Sequence, residues 1–264
     1  MLLRFFSAAF LAATFLTTIF LSACTSSSKS GSTERQPESI REAIDIMRAA
    51  AAEMDVEEFT FTQETIRFNL DGSPADTSLW YEAMQFPSNF RIDFAHPDSG
   101  SAVIYTQDTS YFFARGNLAG SRPEIQEFMV IEGGVHSYST SEILQRLSQL
   151  RMDTTAFMVD TVGDQILWIM GSEQGLRSWF DAEHHSLVRQ IGTMPDGRRL
   201  ESKFSGFETH GDLVIETRVE IFLDGVLVQD ELYQDINVNP NLPASLFDPQ
   251  RFGEEHWVKT RIAD

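Results

Sequence analysis

The sequence contains a single cysteine, Cys24, so no internal disulfide can hold the fold and stability has to come from buried apolar surface. Lysine is nearly as scarce: Lys29, Lys203 and Lys259 are the only ones among 20 basic residues, set against 39 acidic. A net charge of −19 repels phosphate backbones and anionic headgroups, which argues against nucleic acid as a partner and against a purely electrostatic hold on a membrane. Motifs that carry chemistry are missing too. There is no Gly-x-Ser-x-Gly elbow, no His-Glu-x-x-His, no phosphate loop and no dinucleotide-binding glycine pattern, so neither an enzyme nor a cofactor is indicated. Of the six histidines only His184-His185 are paired, beside Asp181 and Glu183. Such a set could hold zinc. Adjacent strand residues point to opposite faces, however, and Asp181 to His185 between Phe180 and Leu187 reads better as a polar hairpin loop.

What is present begins with an apolar run. Arg4 gives a thin basic start, Phe5 to Phe20 is almost wholly apolar, and Leu21-Ser22-Ala23-Cys24 closes the run with small residues before the cysteine. This resembles the lipobox of bacterial lipoproteins, which implies cleavage before Cys24 and a diacylglycerol on its sulfur. An uncleaved anchor is the alternative, because Phe5 to Ala23 is just long enough to span a bilayer. Cleavage would remove Arg4 with residues 1–23 and leave 241 residues at a charge of −20. Thr25 to Gln36 is Ser-rich and without apolar periodicity, a flexible tether. By resemblance to the lipoprotein sorting rule, Thr25 in place of Asp implies an outer-membrane destination, facing the periplasm. The expected divisions are a signal peptide over 1–23, Cys24 and tether over 24–37, one folded domain over 38–252 and a tail over 253–264.

The folded part centres on an antiparallel meander from Thr155 to Asn237. Asp196-Gly197, Gly211-Asp212 and Asp224-Gly225 each reverse the chain between short apolar segments. No helix-length crossover fits between them, which excludes a parallel sheet there. Upstream, Ser39 to Glu42 has capping-box spacing, and Ile40, Ala43, Ile44, Met47, Ala51 and Met54 share one face of a helix over about Ser39 to Met54. Five strands follow, in Phe59 to Leu70, Leu79 to Met84, Phe90 to Phe94, Ala102 to Gln107 and Tyr111 to Ala114. The first changes apolar parity near Gln63 to Thr65, which implies a bulge or a change of face. Gly116 to Pro123 reads as a loop, and Glu124 to Ile131 as either strand or short helix. Ser139 to Glu142 opens a second helix. Seven meander strands bring the total to about a dozen, and a sheet of that size curls. With its two helices, the chain is α+β.

Trp80 to Phe94, with Ile104-Tyr105-Thr106-Gln107-Asp108 and Tyr111-Phe112-Phe113, resembles the LolA/LolB-like outer-membrane lipoprotein carriers and receptors. The order of elements agrees, and Pro240 to Pro249 looks like that family's proline-rich exit. The resemblance covers about Ser39 to Phe252. It implies a large curved antiparallel sheet forming an incomplete β-barrel, helices over its concave face, and an apolar cavity that takes acyl chains of lipoproteins or other lipids. Cavity candidates are Met47, Met54, Trp80, Phe90, Ile92, Phe94, Tyr105, Phe113 and Trp168; ordinary core is the alternative for each. Phe86 stands before Pro87, where the carriers place an arginine that helps hold the lid closed, so transfer is not implied residue by residue. A membrane-tethered member implies a receptor or static binding module, or a sensor or scaffold that binds an envelope protein partner through the same sheet.

Overall fold

The structure is a computed structural model that describes residues 35–194 and 196–258. The apolar leader, Cys24 and most of the tether lie outside the described residues. The first helix, α1 (Ile40–Ala51), starts where Ser39 Oγ accepts from the Glu42 amide. The anticipated capping box is half made, because the Glu42 carboxylate reaches Glu38 N–H at 2.8 Å instead of that of Ser39. Ile40, Ala43, Ile44, Met47 and Ala51 are buried, as their spacing predicts.

A six-strand meander follows: β1 (Glu58–Phe68), β2 (Pro74–Gln85), β3 (Asn89–Phe94), β4 (Ala102–Thr106), β5 (Thr109–Ala114) and β6 (Asn117–Pro123). The last corrects the loop expected at 116–123. Its side chains are all exposed, so no burial pattern marks it. Only pairing with β5, from Thr109 opposite Pro123 to Ala114 opposite Asn117, makes it a strand. The ambiguous segment resolves into a short helix, α2 (Glu127–Ile131), and a complete capping box at Ser139 and Glu142 opens α3 (Thr140–Gln149). A second meander runs through β7 (Phe157–Val162), β8 (Gln165–Met170), β9 (Arg177–Asp181), β10 (Leu187–Thr193) and β11 (Arg199–Ser205). After an excursion come β14 (Arg218–Leu223) and β15 (Val226–Val238), joined by Asp224 and Gly225 at φ 49° and 83°, the two left-handed residues of a tight hairpin.

Long β1 pairs with long β15 and joins the meanders into one antiparallel sheet of thirteen strands, in the order β6-β5-β4-β3-β2-β1-β15-β14-β11-β10-β9-β8-β7. Its edges, β6 and β7, do not meet, which leaves an open half-barrel, the fold class the resemblance implies. A bulge breaks the β1–β15 pairing between Thr60 and Thr62 rather than at 63–65, and its extra residue is on β15, where Asp235 (φ 52°) and Ile236 face Phe61 alone. The inward parity itself does not change: Phe59, Phe61, Gln63 and Thr65 are all buried. Ile66 and Phe68 lie on the other face, and the buried Gln63 donates to Thr65 at 2.8 Å.

Residues 213–223 form two strands separated by Glu216 and Thr217. The chain leaves the sheet at Gly206 (φ 69°), makes the hairpin β12 (Glu208–His210) and β13 (Leu213–Ile215), and returns at Thr217. Thr217 Oγ1 donates to Gly206 O at 2.6 Å and clamps the base of this excursion. A Cβ on Gly206 would lie 2.5 Å from that hydroxyl, so the crossing needs glycine. Inside the half-barrel, α1, α2 and α3 pack on Trp168, Met170, Phe180 and Leu187 of β8 to β10, while Met129 and Ile215 pack on Phe59, Phe61, Met84 and Phe90 of β1 to β3.

Candidate functional site: the inner cavity

Among the described residues, two chambers lie between the helices and the sheet. The first, about 260 Å³, is bounded by Met47, Ala50, Ala51 and Met54 of α1 and its C-terminal turn, by Phe59, Phe86, Phe128 and Ile131, and by Ile215 from the excursion. The second, about 200 Å³, has Trp80, Met84, Phe90, Ile92, Phe204, Val219 and Ile221 around Gln63, Glu82, Glu231 and Tyr233. Phe128 on α2 is a wall of both. The aromatic lining is ordered by ring contacts. Phe86 stacks on His136 at 4.2 Å between centroids and meets Phe59 edge-on at 5.8 Å, and Phe61 lies 4.4 Å from Tyr233.

The anticipated cavity residues therefore divide. Met47 and Met54 line the first chamber, and Trp80, Phe90 and Ile92 the second. Tyr105 stacks behind Phe90 at 5.8 Å, and burial with Glu124 nearby pushes its hydroxyl up to about 12. Phe94 sits at the exposed end of the face, edge-on to Trp80 at 4.9 Å. Trp168 is core beneath α1, its indole N–H donating to Gln36 at 2.8 Å. Phe113 is a correction. It belongs to the opposite face of the sheet, where it stacks on Phe252 of the C-terminal segment at 3.8 Å. Regular pairing places it there, because Phe113 lies opposite Ala102, which in turn lies opposite the outward Asp93.

That outer face holds the one arginine near the expected lid position. Arg91 is 2% exposed and forms two hydrogen bonds with the fully buried Asp93, at 2.7 and 2.9 Å; it also donates to Leu246 O at 3.2 Å and lies 4.7 Å from the centre of the Phe252 ring. Trp257 donates to the same aspartate at 3.3 Å. Leu246 and Phe247, in the proline-rich exit, close over it against Ala83. Arg91 thus ties the C-terminal segment to the sheet and takes no part in the cavity.

Reading the sequence for apolar residues missed the acids. Glu82 lies between inward-facing Trp80 and Met84 on β2, and Glu231 between Gln229 and Tyr233 on β15. Glu82 is 3% exposed, and burial with Glu231 and Glu216 nearby pushes its carboxyl far above the usual range. Glu231 accepts from Gln229 Nε2 at 2.5 Å and Tyr233 Oη at 3.1 Å; burial outweighs these bonds and lifts it as well. Glu132, at the C-terminal end of α2, is raised by burial to about 7. Glu216, where the excursion rejoins the sheet, is raised to about 8 by burial and by the charges of Glu132 and Glu231. Its Oε1 is shut from solvent and has no hydrogen-bond partner among the described residues, a condition that costs about 1–3 kcal/mol. The signal in the sequence was a charged residue in strict alternation with large apolar ones, as in Trp80-x-Glu82-x-Met84.

No protein-family model and no curated protein matches the sequence. The fold is matched by solved structures. A LolA superfamily protein from Nitrosomonas europaea aligns over 81% of this chain and 99% of its own, at 12% identity and a TM-score of 0.51. A proposed outer membrane lipoprotein-sorting protein domain from Vibrio parahaemolyticus covers 78% and 95%, at 10% identity and 0.55. A DUF1329 family protein from Desulfovibrio piger covers 80% and 99%, at 12% and 0.53. The LolA-like resemblance read from Trp80 to Phe113 is borne out in the fold: the chain is a LolA-like open half-barrel.

Proposed function

We propose that this chain is a lipid-anchored protein of the cell envelope that holds the acyl part of a lipoprotein, or another lipid, in its inner cavity without chemistry. One observation carries the reading: an apolar chamber of about 260 Å³ lies between a helix face and the aromatic floor of the half-barrel. Each buried methylene contributes about 0.8 kcal/mol, so covering even part of an acyl chain gives affinity. Either chamber alone is below the ~300–1,000 Å³ of drug-sized sites, and together they reach it. Met47 and Met54 give α1 an adaptable surface over the ligand. The likeness in fold to a LolA superfamily protein and a lipoprotein-sorting domain supports the same reading, as does the lipobox-like run ending at Cys24.

A fluorescent acyl probe titrated into the purified chain should bind saturably. Ala50→Trp, which fills the first chamber from α1, should weaken binding about tenfold. Binding that Ala50→Trp leaves unchanged would place the ligand elsewhere and sink the reading. A second reading, a sensor or scaffold that binds an envelope protein, is favoured by the sheet edge, where Met158, Val159, Val162 and Ile166 of β7 and β8 are exposed. Crosslinking a partner at β7 while the cavity stays empty would select it.

A further inference from the structure

The cavity's lining is acidic but holds no lysine or arginine among the described residues, a poor match for an anionic amphiphile. A carboxylate or phosphate head would meet Glu132 and Glu216 with no lysine or arginine to pair with. Glu216 supplies the independent sign of a ligand. It is 6% exposed, it lines the first chamber, and its Oε1 has no hydrogen-bond partner among the described residues. Buried polar atoms are almost always satisfied, and once this carboxyl is ionised the partner that Oε1 lacks is a donor. Apolar walls formed by Met47, Met54, Phe59 and Phe86 surround the same space.

We propose that the first chamber takes a lipophilic amine, whose protonated amino group is received by Glu216 Oε1 beside Glu132 while its hydrocarbon lies against Met47, Met54, Phe59 and Phe86. The proposal rests on the apolar-cavity reading and names the head of the ligand. Charged and titratable groups reach the space around Glu216 from each side. Glu132 comes from α2 and His136 from the turn after it, with Glu183, His184 and His185 from the β9–β10 loop. Glu231, which helps raise Glu216, comes from β15; Glu82, which Glu216 helps raise, comes from β2, and Tyr233, also raised by Glu216, from β15. In the empty chamber Glu216 holds a proton at neutral pH, because burial lifts its carboxyl to about 8. An arriving ammonium displaces that proton, so amine binding strengthens as pH rises through about 8.

The test is calorimetric titration of the purified chain with n-octylammonium, n-octanol and n-octanoate. Octylammonium should bind about tenfold or more tightly than octanoate. Glu216→Gln should remove most of that preference while keeping the affinity for octanol, which shows the chamber intact. Lysophosphatidylethanolamine, an amine that brings its own phosphate, separates the sources. Binding equal to octylammonium supports a membrane aminolipid as the amine, and weaker binding supports a phosphate-free amine. Octanoate or octanol binding as tightly as octylammonium overturns the proposal and leaves the apolar-cavity reading standing, as does a preference that survives Glu216→Gln. If none of the probes binds, both fall.

Discussion

Glu82, Glu132, Glu216 and Glu231 face the inside of an apolar half-barrel, and at the residue scale such acids set how the protein answers pH. Glu132 and Glu216 have folded values of about 7 and 8 against an ordinary 4.5. Above about pH 4.5 the unfolded chain gives up these protons and the folded chain keeps them. Their stabilising contribution is therefore complete below about pH 4.5 and is lost as pH rises to about 8, with a slope of at most ~1.4 kcal/mol per pH unit per group. The urea midpoint should fall between about pH 5.5 and about pH 8.5, and Glu216→Gln should flatten that fall. A midpoint flat over this range in the unmodified chain would show that the inner acids are solvated. On the outer face, Arg91→Ala strands Asp93, which is 0% exposed, and should cost about 3–5 kcal/mol by urea denaturation. A loss under about 1 kcal/mol would mean that water replaces the guanidinium. The inner acids left one trace in the sequence, the alternation Trp80-x-Glu82-x-Met84, and the outer pair left none. Arg91 and Asp93 alternate with Phe90, Ile92 and Phe94 as solvent-facing residues would. Only the C-terminal segment, some 155 residues on at Leu246, turns that outer face into an interior.

At the scale of elements, α2 decides the form of the cavity. Its five residues split the inner space at Phe128, while Gly133 behind it packs so closely that a Cβ would lie 2.5 Å from Pro87 O. Phe128→Ala should open the two chambers into one and raise affinity for longer acyl chains relative to shorter ones, measured as the ratio of dissociation constants for two chain lengths. An unchanged ratio would mean the chambers are not continuous behind that ring. Gly133→Ala should lower the thermal midpoint by several degrees, since backbone rather than a flexible side chain stands in the way. The legible elements were those with a period. The five buried positions of α1, the capping box of α3 and the inward Phe90 and Ile92 could be read from spacing alone. β6, all exposed, and the excursion at 206–216 could not, because strand pairing and the Thr217 clamp are tertiary facts. The excursion matters most for function, since it brings Ile215 and Glu216 to the cavity.

At the scale of the molecule, an open antiparallel half-barrel with its helices inside leaves an interior that strand packing alone does not fill. The matched structures share the fold at 10–12% identity, so the likeness is one of architecture; the inner lining of this chain has Phe86 stacked on His136 and an acidic wall. A chain of net charge −19 gains nothing from electrostatic attraction to anionic lipid, and Cys24→Ala should move it from the membrane to the soluble fraction. Persistence in the membrane fraction would favour an uncleaved anchor. The most direct measurement is native mass spectrometry with lipid extraction on the chain purified from the cell envelope, beside its Ala50→Trp variant. The expected result is a co-purifying acyl-bearing species in the unmodified chain, largely lost from the variant. A well-folded chain that carries no such species, or carries it equally in both, contradicts a ligand cavity under α1.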